Sequence, residues 1–566
     1  MRKGILSSLF VVVLFAVLLS PIAFYMDNCC NSGEQYDLAH VIEPMITLLE
    51  EGPQYADILV EPVMDIEECW AIEDTRVYTD TPLVYAMRRG DSSLGFDEAS
   101  NTFYCTIGSD IGEEWPEITL FAQGQGDGTR VVWVDDYTYD FCADAIRDGY
   151  RYEMLAYTDR EYNYFGIVFT GLPIVTIHTQ RDAVFSADYI PARIGVSSAA
   201  HNAVISVGQV HLRGGGFDKP IDKFSYRIEL HDLSSGMDEM RRESLLGMEA
   251  DSDWLLLANA QDPTAVRNAL CFDMWRRWNK ETDAPMELQD QLVEVFVQDQ
   301  YMGLYQLVQC VRPEKELIRF GGNPFTDSVV RIVAGGNAGE KPTLNVKEST
   351  NMWAEYRYDA QGQPMRAFLR YMDFARLSLQ EGKEINTGGY LEDDEFSALA
   401  AQRIPVPEMM SYYLFSQVCG LAADNVFNNL YIWILEEDGQ IRYQVSPWDM
   451  DWTLPDGFEA RTSLDFSFLI PCRMLMLDTA GCREEADRIW QEKLETVLTS
   501  QALYDWIMGM EEKVNASGAY LRESKKWYGE AKPLSLEDML GNTENRINKI
   551  DDVVQTDEWR TEGWKW

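Results

Sequence analysis

Short strand-like runs separated by turn residues fill the first half of this chain, and apolar residues at helical spacing take over in the second. Between about residues 53 and 185 the runs are RVYTDTPLVYAM, ITLFAQGQGDGTRVVWVDDYTYD and YNYFGIVFTGLPIVTIHT, with Gly124–Gly128 reading as a hairpin loop. Strands continue through ARIGVSS, AVISVGQVHLRGGG and SYRIELHD, and VEVFVQDQYMGLYQLVQC reads as a strand pair turning at Asp299-Gln300. Helices are expected in PTAVRNALCFDMWRRW, over 365–381 and 392–420, and in WQEKLETVL, LYDWIMGMEEKV and DMLGNTENRINKI. Before those last three, NNLYIWIL and IRYQVSPWD form a second strand pair around Glu437–Gln440. Strands gathered first and helices later imply an α+β fold rather than an alternating parallel one. At 566 residues the chain is long enough for two or three domains.

Charge narrows the partners. Asp and Glu number 93 against 48 Lys and Arg, a formal net charge of -45, so a nucleic-acid backbone would be repelled. High aromatic content excludes a disordered chain. Arg2 and Lys3 precede an apolar run from Ile5 to Tyr25, and no further Lys or Arg occurs before Arg76. Residues 1–25 therefore read as a signal peptide or an N-terminal membrane anchor, with the bulk of the chain outside the cytoplasm. The run is long enough to span a bilayer, and if uncleaved it would hold the protein to the membrane. Residues 26–52 read as a stalk, 53–185 as a small β-rich accessory domain and 186–566 as the catalytic region. Ten cysteines without a Cys-x-x-Cys pair argue against structural zinc, and Cys472 and Cys482 could close a disulfide loop.

Candidate chemistry gathers late in the chain. Asp424 follows an apolar helical run, Asn429 lies five positions on, and the strand pair then delivers Asp449 at its exit, with Asp451 beside it. A loop Asp can orient an attacking hydroxyl, a following Asn can reach a phosphate-bridging metal, and a carboxylate leaving a strand can grip Mg²⁺. If the chain is extended there, Asp449 and Asp451 face the same side. The same residue types also serve as turn and cap residues, so this order alone does not decide a function.

Four ordered segments between about 205 and 455 add a resemblance: HLRGGGFDKPIDKFSYRIEL, DWLLLANAQDPTAVRNALCFDMW, VEVFVQDQYMGLYQLVQ, and DNVFNNLYIW with SPWDMDW. Together they resemble the CotH kinase family, atypical kinases typified by spore-coat protein H. The resemblance implies an atypical protein-kinase-like (CotH-type) catalytic domain, preceded here by the β-rich domain. It also implies ATP with Mg²⁺ or Mn²⁺ as cofactors and Ser or Thr of an exported, cell-surface or spore-coat protein as acceptor. Asp424 would be the catalytic carboxylate, and Asp449, Asn429 and Asp451 the metal-binding group. Arg227, Lys223 and Arg213 are the candidates for nucleotide phosphates. Departures from the family pattern are Gln298-Asp299-Gln300 in the hairpin, Gln309 where Glu is common, and Gly215-Gly216-Phe217-Asp218 after Arg213 and Gly214. The competing reading is a catalytically inactive kinase-like surface protein used for binding or adhesion.

Overall fold

The computed structural model describes residues 57–556 apart from 109–117, 125–127, 135–140, 181–184, 187, 214–220, 233–238, 281–288, 311–327, 333–373, 375, 378–383, 386–387, 421–429, 438–439 and 455–468. Asp424, Asn429 and residues 1–56 thus lie outside the described residues, as does nearly all of the helix expected over 365–381. Among the described residues no helix is long and apolar enough to cross a membrane.

The first strands make two sheets. One contains 57–59, 120–124, 84–89 and 92–93; the other contains 95–97, 102–106, 161–170, 151–157 and 130–133, with 77–78 paired to 161–162. Strands 120–124 and 130–133 fall in different sheets, so the Gly124–Gly128 stretch is not a hairpin loop. Its Gly-rich composition signals a turn, but only the partner strands decide whether the chain doubles back or crosses over.

A closed barrel follows. Its strands are β1 (Ile174–Thr179), β2 (Ile190–Ser197), β3 (Val204–Arg213), β4 (Ser225–His231), β5 (Asp253–Leu257), β6 (Asp290–Val297) and β7 (Gln300–Gln309), joined in the order β1-β2-β3-β4-β5-β7-β6. The barrel begins at Ile174, inside the stretch that sequence grouped as 53–185. Alternation along each strand sends Val175, Ile177, Ile194, Val210, Tyr226, Ile228, Trp254 and Tyr305 to the interior, where they form one core. The opposite face of β5 and β7, with Leu255, Leu304 and Val308, packs on helix α1 (Arg267–Trp278) through Leu270, Trp275 and Trp278.

The β6–β7 turn explains a departure noted above. Gln298 and Asp299 both have positive φ, 50° and 57°, the two-residue geometry that Asn-Gly normally supplies. Side-chain bonds offset the strain here: Thr179 N–H donates to Gln298 Oε1 (2.7 Å), and the His178 ring lies 2.9 Å from Asp299. The turn is one residue earlier than sequence placed it.

The helical half contains α2 (Asp393–Arg403), α3 (Val406–Cys419), α4 (Leu469–Leu477), α5 (Cys482–Glu495), α6 (Ser500–Ala516), α7 (Ala519–Tyr528) and α8 (Glu537–Thr556). The single helix expected over 392–420 is two, because Pro405 and Pro407 cannot donate backbone hydrogen bonds and force a break after Arg403. Cys472 and Cys482 are free and buried, and the Cys482 thiol donates to Met474 O; they form no disulfide.

Helix α7 joins the two halves by buried charge. Arg522 donates to both oxygens of Glu294 (2.8 and 2.7 Å) and to Thr170, while Tyr301 donates to the same carboxylate. The next residue, Glu523, pairs with Lys223 at 2.7 Å and accepts from Leu304 N–H at 2.7 Å. Burial alone would raise the pKa of Glu294, but Arg522, Thr170 and Tyr301 hold it below its ordinary value. A lowered carboxyl contributes stability in full above its unfolded pKa and loses it as pH falls through the folded value. Glu523, raised mainly by burial, has the opposite slope. We expect Glu294→Gln to lower the urea midpoint at neutral pH and to make its fall below about pH 4.5 shallower than in the wild type.

Candidate functional site

The hairpin of β9 (Leu430–Glu437) and β10 (Gln440–Pro447) pairs Leu430 with Pro447, and β8 (Ser328–Ile332) extends it. Beyond Pro447 the chain turns inward at Trp448, which is buried and lies 5.9 Å from Phe272 and 5.6 Å from Tyr431 between ring centroids. Asp449 then adopts a left-handed backbone, φ 60°, and its side chain is exposed. This stops the strand, so the expectation that Asp449 and Asp451 share one face of an extended segment does not hold. A non-glycine residue in that region costs about 1 kcal/mol or more and persists only where neighbours over-determine it.

The neighbours are identifiable. Met450 N–H donates to Asn268 Oδ1 at 2.9 Å, and Asn268 is itself held by Gln306 (2.8 Å) and Gln306 by Asp290 (2.8 Å). Thr453 donates to Met450 O, and its hydroxyl lies 3.0 Å from the Cys271 thiol. Leu454 N–H donates to Cys419 O at 2.8 Å, and Arg267 donates to Leu454 O at 3.2 Å. Asp262 fixes Arg267 through an ion pair and also accepts from Arg267 N–H at the start of α1, so it helps anchor this loop. Residues 448–454 are therefore clamped to α1 and to the end of α3.

That end is informative about the other half of the site. Helix α3 stops at Gly420, φ 64°, beside Leu454, and the chain is next described at Leu430, opposite Pro447. Gly420 and Leu430 thus stand near the two ends of the Asp449 loop, while Asp424 and Asn429 lie outside the described residues.

The three candidate cations differ. Arg213, at the end of β3, stands 5.6 Å from the ring centroid of Trp448, the residue that precedes Asp449 in the chain. Arg227 lies on the same outer barrel face, opposite His211, and is bidentate to the buried Asp253 with Glu229 at 3.4 Å. Lys223 is fully enclosed: its ammonium donates to Glu523 and to Leu304 O (2.6 Å) and sits 4.7 Å from the Tyr305 ring centroid. Burial pulls the Lys223 pKa down, opposed by Glu523. Both latter cations are held by carboxylates that sequence reading did not pair with them. Gln309 instead donates to Glu249 O, so the Glu missing there is replaced for Arg227 by Asp253 and for Lys223 by Glu523. Nothing local marked Glu523, three hundred residues away; Asp253 could have been found as the polar outward position beside Leu255 on β5.

His211, between these arginines, has both ring nitrogens buried without a hydrogen-bond partner, and burial with Arg227 and Arg213 nearby lowers its pKa. Among the described residues no three or more His, Cys, Asp or Glu cluster as a metal site.

A barrel of strands, a helical half and a clamped carboxylate loop between them define an α+β protein. The family model described as CotH kinase protein matches residues 210–559, more than half of the chain, and the protein belongs to that family. None of the curated proteins matches it significantly.

Proposed function

We propose that this protein is an ATP-dependent kinase that phosphorylates Ser or Thr of exported, cell-surface or spore-coat proteins, working outside the cytoplasm. The observation that carries the reading is the Asp449 loop: a left-handed, exposed carboxylate held by α1 and α3 and preceded by Trp448, whose ring Arg213 faces, in a CotH-family chain. Asp424 would orient the acceptor hydroxyl. Asp449, with Asp451 and Asn429, supplies the hard oxygen donors that suit Mg²⁺ or Mn²⁺. Such a metal neutralises charge on the transferring phosphate. Arg213 would steady the nucleotide phosphates, while Arg227 and Lys223, held by Asp253 and Glu523, act as framework around it. This arrangement serves by positioning and charge neutralisation, which is what phosphoryl transfer demands of a protein.

The test is incubation of the purified chain with labelled ATP and Mg²⁺ or Mn²⁺, reading phosphate on the protein itself or on a generic protein acceptor. Incorporation is expected. Absence of nucleotide binding at millimolar ATP with either metal would overturn the reading and leave a binding protein on a kinase-like fold. Arg213→Ala is expected to raise KM for ATP about tenfold while kcat changes little, as loss of a charge-assisted contact made in ground and transition states alike.

A further inference from the structure

Away from the Asp449 loop, an open cavity of about 540 Å³ lies where the first sheet meets the barrel. Its wall is formed by the 84–89/92–93 hairpin, the end of strand 102–106 and the turn after β2. Arg89, Ser92, Ser93, Thr106, Ser197 and Ser198 give it one guanidinium and a ring of hydroxyls. Among the described residues the wall contains no carboxylate, in a chain with 93 acidic residues.

Arg89 has capacity to spare. One of its nitrogens donates to Thr106 O at 3.1 Å, and among the described residues no carboxylate pairs with it. A guanidinium carries five N–H donors in a planar fork, suited to a bidentate oxyanion. Its neighbour Arg88 is committed to Asp57 at 2.6 Å, so the two arginines of the hairpin are used differently. The one thiol on the wall, Cys105, is pushed up to about 12 by burial, so no anion competes there. The wall is also pinned: Ser197 Oγ donates to Ser93 O at 2.7 Å, tying the hairpin to the barrel. Ser92, paired across the hairpin with Arg89 and so on its face, has no side-chain hydrogen bond among the described residues, which leaves its hydroxyl for a ligand.

We infer that this cavity is a second binding site, for a small polyhydroxylated anion whose carboxylate or phosphate engages Arg89 and whose hydroxyls engage the serines. A monosaccharide bearing one such group fits both the volume and the lining. The site is independent of the nucleotide reading above.

The experiment is ligand-observed NMR and calorimetry on the full chain with glucuronate, glucose 6-phosphate, glucose and inorganic phosphate. Glucuronate or glucose 6-phosphate is expected to bind about tenfold or more tightly than glucose, because one charge-assisted pair is worth that much. Preference between the two anionic sugars identifies the oxyanion. Arg89→Met is expected to weaken the anionic sugar about tenfold and leave glucose unchanged. Ser92→Leu, which fills the wall without removing a hydrogen bond of the fold, is expected to weaken it as well, and guards against misfolding of the Arg89 variant. Anionic sugars binding no better than glucose, or equal binding by Arg89→Met with an unchanged melting curve, would overturn the proposal. Phosphate alone binding as tightly as glucose 6-phosphate would overturn the part assigned to the hydroxyls.

Discussion

Asp449→Ala is expected to lower the rate of ATP-dependent phosphorylation by about three orders of magnitude or more, some 4 kcal/mol of transition-state stabilisation. The residue is exposed, and the loop around it is fixed to α1 by Met450 N–H on Asn268 and by Thr453 against Cys271, so the loss should be chemical rather than structural. Asp449→Gly separates the two: glycine adopts the left-handed conformation without strain, so its melting temperature should match the wild type while its activity is lost. Measured initial rates in which Asp449→Ala keeps a tenth or more of wild-type activity would remove this residue from the metal-binding role.

Glu523→Ala should instead unfold the joint between barrel and helices. It strands the enclosed Lys223 ammonium and leaves Leu304 N–H without an acceptor. Removing one member of a buried pair costs about 3–5 kcal/mol, which lowers the melting temperature by something on the order of 10 °C. Gly303 shows how tightly the site is built: a Cβ there would lie 2.0 Å from Glu523 Oε2, at a φ of 102°. The double variant Lys223→Met/Glu523→Leu should recover the part of the loss that comes from the stranded ammonium, because apolar groups of similar volume avoid its desolvation cost, while Leu304 N–H and O stay unpaired. Nucleotide affinity decides what Lys223 does. Recovery of both stability and ATP binding in the double variant makes it framework; recovery of stability alone would return it to the phosphate site.

Much of the fold was legible in the chain. Strand-like runs between turn residues marked β3, β4, β6 and β7, and apolar residues at helical spacing marked α1 and α6, because both signals are local in sequence. The split of α2 from α3 was written in Pro405 and Pro407 but overridden by the continuous apolar pattern across them. The left-handed turns at Gln298-Asp299 and at Asp449 were not legible, since neither carries the glycine that would announce them and both depend on bonds from distant strands and helices.

By itself, then, the sequence determined the class of fold, the family and the order in which Asp424, Asn429, Asp449 and Asp451 occur along the chain. Tertiary structure alone decided that the Asp449 loop is clamped by Asn268, Arg267 and Cys419, that Arg213 faces the Trp448 ring, and that Lys223 is enclosed with Glu523. The reason is range. Periodicity, turn chemistry and motif order act over a few residues, whereas the environment of a charge is set by groups hundreds of positions away, and only packing brings those together.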